Sequence, residues 1–313
     1  MIDYHCHLLP GLDDGPETAD ESLDMARALA AFGFREVCCT PHCIKGHYEI
    51  SPVEIREAVR RLQSRLDYEG VALTLRPGME YTLDECFEQY AANLLPLGDS
   101  RLVLCEAPPQ AHPGLVAEMA SLIVVQGYLP LIAHPERSDV IWEIIEEETR
   151  GEKREQAAAR DEKREQAEAR DEKRQMGHEK REPAKSLWKR LFSFRDSRLS
   201  PPDSRLSPLG LHSSSLDSRL SPLASRFSLL DSCLFQANLG SFTGYYGPKP
   251  QRRAYELLQR GVYHCLASDL HDPRSAAFLE LASEKLDFNP ALQKLGQFKA
   301  PQGQGGSDQL AFW

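Results

Sequence analysis

The chain has 313 residues, of which 41% are hydrophobic and 27% charged, enough for one large α/β barrel or two smaller domains. Its formal net charge of −10 argues against nonspecific binding to nucleic acid or to an anionic membrane, which requires a basic face. The sequence has neither an apolar run of about 18 residues nor a signal-peptide pattern, and its eight cysteines form no CxxC pair. We therefore expect a cytoplasmic protein with reduced, buried thiols and no membrane insertion.

The first 145 residues alternate between short apolar runs and amphipathic stretches. IDYHCH predicts a buried strand, and the helix that follows begins with a capping box of Thr18 and Glu21 and ends at Gly33. REVCCTPH predicts a second strand, followed by a helix with Ser51 as its cap and Pro52 in its first turn. This order of elements is typical of a parallel α/β sheet.

The pattern continues through three further strands, VALTLRPGMEY, LVLCEA and YLPLIAHPER, with the helix HPGLVAEMASLIVVQG between the last two. Near the other end of the chain, PQRRAYELLQRG predicts a helix and VYHCLASDLH a strand. Strands that alternate with helices indicate a parallel sheet, either open or closed into a barrel.

Residues 146–233 differ in kind from the flanking sequence. EKREQAAARD and EKREQAEARD (152–171) form a ten-residue repeat that favours a solvated helix, and DSRLSP then occurs three times between 196 and 222, where we expect disorder. We interpret this segment as a repeat-rich insertion, helical and then disordered, in a discontinuous domain made of residues 1–145 and 234–313. A partner-docking arm is the alternative.

Potential metal ligands stand at the ends of six predicted strands, and in a βα barrel the carboxyl ends of the strands meet at one face. Converging charges that are buried repel one another unless a cation neutralises them. These candidates are His5, His7, His42, Glu80, Glu106, His134, Asp269 and His271, with Asp13 or Asp14 in the first loop.

The spacing of the histidines supports this interpretation. Residues i and i+2 of a strand point to the same side, so both imidazoles of the HxH pair can reach one ion. Mixed imidazole and carboxylate ligands suit Zn, Mn or Fe better than Ca or Mg, and the number of candidates allows more than one ion. Arg137 and Arg274 lie beside these ligands, where a guanidinium could bind phosphate; a structural salt bridge is the alternative for each.

Six motifs in order, HCHLLPGLDDG, TPH, PGMEY, AHPER, FQANLGSFTGYYG and ASDLH, resemble the PHP (polymerase and histidinol phosphatase) superfamily. Within it they are most similar to the manganese-dependent protein-tyrosine phosphatases of bacterial capsule and exopolysaccharide clusters. The resemblance covers residues 1 to about 145 and about 234 to 275. It implies a distorted TIM-like (β/α) barrel of the PHP type, interrupted by the long repeat-rich insertion.

The resemblance also implies up to three divalent ions, with Mn²⁺ favoured and Zn²⁺ or Fe as alternatives. One ion would take His5, His7, Glu80 and Asp269; a second would share Glu80 and add Glu106 and His134; a third would take Asp14, His42 and His271. Asp13 could replace Asp14. Arg137 and Arg274 match the phosphate-binding, catalytic arginines of the family, although Arg274 follows His271 at a shorter spacing than expected. Cys43 stands where the family often has a second histidine.

The implied reaction is metal-dependent hydrolysis of phosphate monoesters, in particular of phosphotyrosine in a protein, in the regulation of capsule or exopolysaccharide synthesis. The implied partner is a bacterial tyrosine kinase; a homo-oligomer stays open. A small-molecule phosphatase of the histidinol-phosphatase kind is the nearest alternative. The net negative charge disfavours a nuclease-like enzyme. An inactive scaffold with a partner-binding arm is a further alternative, disfavoured because such a protein would be expected to have lost some of the metal ligands.

Overall fold

A computed structural model describes residues 1–179 and 227–303, and for 168–179 the backbone alone. The chain divides into two compact units, one made of residues 1–148 with 219–313 and the other of residues 149–218. Within the described residues, no helix is both long enough and apolar enough to cross a membrane.

The two helices of the amino-terminal part begin as their sequences predict. β1 (Ile2–Cys6) leads to α1 (Ala19–Phe32), whose first turn is closed by the reciprocal capping box of Thr18 and Glu21. Gly33 ends α1 in the left-handed conformation, with φ of 114°, which is accessible to glycine without steric cost. α2 (Pro52–Tyr68) begins with a second capping box, in which Ser51 pairs with Glu54.

Two of the predicted strands are each divided in the structure. REVCCTPH forms β2 (Glu36–Cys39) and β3 (His42–Cys43), separated at Pro41, which has no N–H to donate to a ladder. VALTLRPGMEY forms β4 (Thr74–Pro77) and β5 (Glu80–Thr82), separated at Gly78, where a Cβ would lie 2.6 Å from Leu97 Cδ2. The breaks let the chain change direction before it reaches the site.

The remaining strands are β6 (Leu102–Glu106), β7 (Leu129–Ile132), β8 (Leu234–Asn238) and β9 (Cys265–Ala267). All strand pairs are parallel, in the orders β1-β2-β4 and β3-β5-β6-β7-β8-β9. β8 was not predicted as a strand, because LFQAN is short and places two amides on a buried segment. The result is a curled parallel sheet, which confirms the predicted α/β class.

Seven further helices lie outside the sheet in the described residues. They are α3 (Pro113–Val125), α4 (Asp139–Glu179), α5 (Leu229–Ser232), α6 (Leu239–Thr243), α7 (Pro248–Arg260), α8 (Ala277–Asp287) and α9 (Pro290–Leu295), with 3-10 turns at Phe87–Gln89, Ala91–Asn93 and Pro273–Ala276. α8 and α9 were not predicted. Both bury apolar side chains against the main core, among them Phe278, Leu279 and Leu292.

Two backbone hydrogen bonds connect β1 with the segment that follows β9. Asp269 N–H donates to the carbonyl of His5 at 2.8 Å, and His7 N–H donates to the carbonyl of Leu270 at 3.0 Å. They join β1, in the three-stranded group, to the chain that follows β9, in the six-stranded group, on the side where the candidate ligands lie.

The ten-residue repeat forms part of α4, so the prediction of a helix for residues 152–171 is confirmed. Residues 152–167 are exposed, as expected of a solvated helix. The DSRLSP copies at 196–222 lie outside the described residues. Residues 229–232, which fall at the end of the predicted insertion, form α5, and Glu148 accepts hydrogen bonds from Ser228, Leu229 and Leu230.

Candidate metal centre

Nine of the predicted ligands come together at the carboxyl ends of the strands. They form four overlapping groups, in each of which one ligand atom per residue lies within 4.8 Å of the others. The groups are His7, Asp14, His42 and His271; His5, His134 and Asp269; His5, His7 and Glu80; and His42, Glu80 and Glu106. The sheet therefore gathers side chains that are up to 266 positions apart in the sequence, from His5 to His271.

Glu80 lies at the middle of this arrangement and is fully buried. Its Oε2 is 3.2 Å from His5 Nε2, 3.3 Å from His7 Nε2 and 3.0 Å from His42 Nδ1, and its Oε1 is 3.3 Å from His134 Nε2. Despite these short distances, neither carboxylate oxygen has a hydrogen-bond partner of acceptable geometry. A buried carboxylate surrounded by imidazole nitrogens but without hydrogen bonds fits a shared cation.

Asp14 marks a second part of the cluster, nearer to solvent. Its Oδ1 lies 3.5 Å from Nε2 of both His42 and His271. The His271 ring also stacks on His7, with centroids 3.8 Å apart. Asp14 is about half exposed, whereas His42 and His271 are more buried, so this part of the site lies at the boundary with solvent.

Asp13, the alternative to Asp14, contacts the cluster indirectly. Its Oδ2 is 2.6 Å from Nδ1 of His7 and accepts a hydrogen bond from the backbone N–H of His42, while Oδ1 accepts from Gly15 N–H. A carboxylate only accepts, so Nδ1 of His7 carries a proton, and Nε2 is the atom that faces Glu80 and Asp269. Asp13 thus orients a candidate ligand, a role typical of carboxylates behind metal-binding histidines.

Gln236 on β8 orients His5 in the same manner. Its fully buried Oε1 accepts from the backbone N–H of His134 at 3.1 Å and lies 3.3 Å from His5 Nδ1. The backbone donor identifies this atom as the amide oxygen, so His5 carries its proton on Nδ1 and turns Nε2 toward Glu80. Nδ1 of His271 similarly lies 3.0 Å from the carbonyl of Asp269.

Two candidate ligands have a strained backbone. His134 and Asp269 are the non-glycine residues with positive φ in the described part of the chain, at 32° and 53°. Each such conformation costs about 1–3 kcal/mol and persists where surrounding contacts enforce it. Next to Asp269, Ser268 donates from both its N–H and its hydroxyl to the buried carboxylate of Asp3, which anchors this turn to β1.

The pKa values of the clustered side chains depend on the charges of their neighbours in the cluster. Burial would raise the pKa of Glu80, but the charge of His5 and the contacts with other imidazoles hold it well below its usual range. Burial and the negative charge of Glu80 raise the pKa of Glu106 to about 7. Burial and Arg137 lower the pKa of His134. Carboxylates this close to each other are stabilised by added positive charge.

The two predicted phosphate-binding arginines have different surroundings. Arg137 forms an ion pair with Asp269, and its guanidinium carbon lies 4.1 Å from the ring centroid of Tyr246. The side chain of Arg274 is 93% exposed, and among the described residues its polar contacts are with Asp272. The structure therefore brings Arg137 to the cluster and leaves Arg274 in solvent.

Several residues that support the site were missed in the sequence. Gln236 and Asn238 alternate on β8 as the histidines do on β1, and Asn238 Nδ2 donates to Asp269 Oδ2 at 2.8 Å. Glu136 is fully buried and accepts from Tyr263 Oη and from Asn238 N–H. The i, i+2 pair of amides in FQAN is the signal that could have identified β8 and both residues.

The cysteines are not part of this chemistry. All eight are free and seven are buried, as predicted for reduced thiols. Burial raises the pKa of Cys43 to about 11, so it remains a neutral thiol beside His42 near neutral pH.

Comparison with known proteins locates the resemblance. Residues 1–150 match the family described as Capsular polysaccharide synthesis, CpsB/CapC. This confirms the predicted resemblance over the amino-terminal part of the chain. Among relatives, tyrosine-protein phosphatase YwqE of Bacillus subtilis is 39% identical over 145 residues, which are 46% of this chain and 57% of that protein. Tyrosine-protein phosphatase CpsB of Streptococcus pneumoniae is 32% identical over 148 residues, 45% of this chain and 59% of that protein.

The match to these CpsB/CapC proteins thus spans less than two thirds of their length. A solved structure from a study of YwqE and CpsB as metal-dependent tyrosine phosphatases is similar over 97% of both chains, with a TM-score of 0.57 and 24% identity. At this level the likeness supports the fold: an α/β protein with a curled parallel sheet.

Proposed function

We propose that this chain is a metal-dependent phosphatase that hydrolyses phosphotyrosine in a protein. The observation that carries the proposal is the buried Glu80 carboxylate, which four imidazoles approach within 3.3 Å while neither of its oxygens is hydrogen-bonded. Tyrosine-protein phosphatases among the relatives, and the motifs shared with them, support phosphotyrosine as the substrate.

We propose that the nine clustered residues hold up to three divalent ions. His5, His7, Glu80 and Asp269 would hold one; Glu80, Glu106 and His134 a second; and Asp14, His42 and His271 a third. Mn²⁺ is the preferred candidate, with Zn²⁺ or Fe as alternatives for a mixed nitrogen and oxygen ligand set. When bound, such ions lower the pKa of water and neutralise phosphate charge.

The protein's own residues orient the ligands and bind the substrate. Asp13 and Gln236 keep the imidazoles of His7 and His5 in the tautomer that presents Nε2 to the cluster. Arg137 is suited to bind two phosphate oxygens through its guanidinium edge, which stabilises negative charge as the ester bond breaks. We retain Arg274 as a second candidate for this role, because its side chain is exposed and its ion pair with Asp272 lies in solvent.

Acid assistance from the protein matters little for this substrate. Phenolate is a good leaving group, so its departure depends less on a proton donor than that of an alkoxide. His134, whose pKa is lowered by burial and Arg137, is neutral near neutral pH and is therefore better suited as a ligand than as an acid.

We further propose a bacterial tyrosine kinase as the protein substrate, a role in capsule or exopolysaccharide synthesis and a cytoplasmic location. The CpsB/CapC match of residues 1–150 supports the role, and eight free cysteines fit a reducing compartment. A homo-oligomer is compatible with this role.

For the fold, we propose that the sheet closes into a distorted barrel of the PHP type, with residues 146–233 as its insertion. The hydrogen bonds of Asp269 with His5 and of His7 with Leu270 support closure between the first and last strands. The separate compact unit at residues 149–218 supports the insertion.

Hydrolysis of a phosphotyrosine peptide tests the proposed function. Full-length protein, prepared with Mn²⁺, is expected to release phosphate, to lose activity on chelation and to regain it when Mn²⁺ is added back. Histidinol phosphate serves as the comparison substrate. Hydrolysis of histidinol phosphate in strong preference to the peptide would contradict the assignment, as would peptide hydrolysis that survives complete removal of metal.

A further inference from the structure

The turn after β8 brings an aromatic ring against Arg137. α6 ends at Gly244, and the chain continues into Tyr245 and Tyr246. The Tyr246 ring lies 4.1 Å from the guanidinium carbon of Arg137, within the range of a cation–π interaction. The neighbouring Tyr245 is exposed; its ring packs edge-on against Tyr246, with centroids 4.9 Å apart, and it also contacts Ser275 and Phe278.

The space for the Tyr246 ring depends on Gly240. A Cβ at position 240 would lie 2.7 Å from Cε2 of Tyr246, closer than real Cβ contacts allow. The backbone of Gly240 is fixed in turn, because its N–H donates to Asn238 Oδ1 at 2.8 Å. The ring is thus held between the start of α6 and the arginine that we assign to phosphate binding.

Arg137 has two partners of different kinds, the Asp269 carboxylate and the Tyr246 ring. Asp269 also belongs to the ligand groups, so a cation at the site would compete with Arg137 for its charge. The ring is not a ligand. Because the ring contacts the face of the guanidinium, it does not occupy the N–H groups at its edge, one of which pairs with Asp269 here.

We propose that Tyr246 is a positioning residue that holds the Arg137 guanidinium for the phosphate group of the substrate, an inference that rests on the proposed function. It acts through its ring, although its hydroxyl also lies 3.5 Å from Asp269 Oδ2. The ring and the hydroxyl can be separated by substitution.

The test compares Tyr246→Leu with Tyr246→Phe in the Mn²⁺-loaded, full-length protein. Tyr246→Leu is expected to raise KM for a phosphotyrosine peptide and the inhibition constant of inorganic phosphate together, by about 2- to 30-fold, the range of a cation–π contact. A smaller change is expected in kcat, and none in metal content. Tyr246→Phe keeps the ring and should retain both constants within about twofold.

Two further variants make the result specific to Arg137. In an Arg137→Ala background, Tyr246→Leu is expected to have no additional effect on the phosphate inhibition constant, because the two residues act through one contact. Tyr68→Leu, the same substitution at the exposed end of α2, is the matched control and should leave this constant unchanged.

The outcomes separate this inference from the proposed function. Equal effects of Tyr246→Leu and Tyr246→Phe would overturn the inference in favour of the hydroxyl contact with Asp269, and an undiminished effect in the Arg137→Ala background would also overturn it. If the wild type does not hydrolyse the peptide, the proposed function fails. The role of Tyr246 is then judged by binding of inorganic phosphate to the Mn²⁺-loaded protein, where an unchanged affinity in Tyr246→Leu overturns it.

Discussion

The cluster of candidate ligands at the strand ends is largely buried, whereas the outer part of α4, residues 152–167, is exposed to solvent. In the cluster, His5, His7 and Glu80 are fully buried although all three are polar or charged. In α4, the charged residues between 152 and 167 are exposed. Polar groups in the second region are solvated and need no partner, whereas those in the first are stabilised only by one another or by an added cation.

The difference extends to the backbone. At the cluster, His134 and Asp269 adopt positive φ, and contacts from other strands maintain these conformations. In the outer part of α4, the side-chain contact of Gln166 with Glu162 is a local i, i+4 pair worth a few tenths of a kcal/mol, about 0.2–0.5. Backbone strain and buried charge occur together at the cluster and indicate a functional site there. The outer part of α4 has neither feature in its described residues.

The largest expected effect is that of Glu80→Gln. Loss of the central carboxylate removes a ligand common to two of the groups, so phosphatase activity should fall more than about 100-fold, beyond the usual effect of residues behind the ligands. Glu57→Gln, on the exposed face of α2, is the matched control and should be near wild type. A loss of less than tenfold would show that the cluster is not the catalytic centre.

A smaller effect is expected for Gln236→Leu, which keeps the volume of the side chain but removes the oxygen shared by His5 and His134. Metal affinity, measured by calorimetric titration, should fall about 10- to 100-fold, because His5 loses the contact that fixes its tautomer. Gln293→Leu, on α9, is the control. Unchanged affinity in Gln236→Leu would mean that Glu80 and Asp269 alone orient His5.

Asp139→Asn tests an exposed ion pair, and its expected effect is smaller than those of Glu80→Gln and Gln236→Leu. Asp139 lies 2.6 Å from both Lys249 and Arg253, and hydrogen bonds from these residues lower its pKa. A lowered pKa in the folded state stabilises at pH above the unfolded value near 4, and the contribution is lost as pH falls through the folded value. Because the carboxylate is 65% exposed, the free energy of unfolding in urea should drop by less than about 1 kcal/mol at pH 7, and by progressively less as the pH falls toward 2.

Asp161→Asn, in the exposed repeat, is the companion variant for that measurement. We expect no change in the free energy of unfolding at either pH. An effect as large as that of Asp139→Asn would mean that the repeat contributes to stability beyond its local helix.

The smallest effect is expected from deletion of residues 152–226 and their replacement by a short Gly/Ser linker. Glu148 contacts Ser228, Leu229 and Leu230, so the two ends of the deletion already lie close together. Peptide hydrolysis and Tm should stay close to those of the full chain. A loss of activity of more than about tenfold, equal to 1.4 kcal/mol, would assign the repeat a functional part.

The sequence alone predicted much of the fold and the candidate site. The caps of α1 and α2 and the helical repeat follow from local chemistry, in which each residue contacts neighbours within one or two turns. The choice of eight of the nine candidate ligands followed from their position at strand ends, because parallel strands bring those ends to one face. The ninth lies in the first loop, where the sequence left Asp13 and Asp14 as alternatives. Periodicity and position were sufficient for these features.

Tertiary structure decided the rest. Asp13 and Asp14 are adjacent residues of the same type, and only their contacts distinguish them. Asp13 contacts Nδ1 of His7, whereas Asp14 lies near Nε2 of both His42 and His271. Contacts between distant segments also place the ring of Tyr246 against Arg137 and the amide of Gln236 between His5 and His134. The exposure of Arg274 likewise depends on the folded chain. Local pattern does not encode such contacts, because they are set by the packing of strands and loops that meet only in the folded chain.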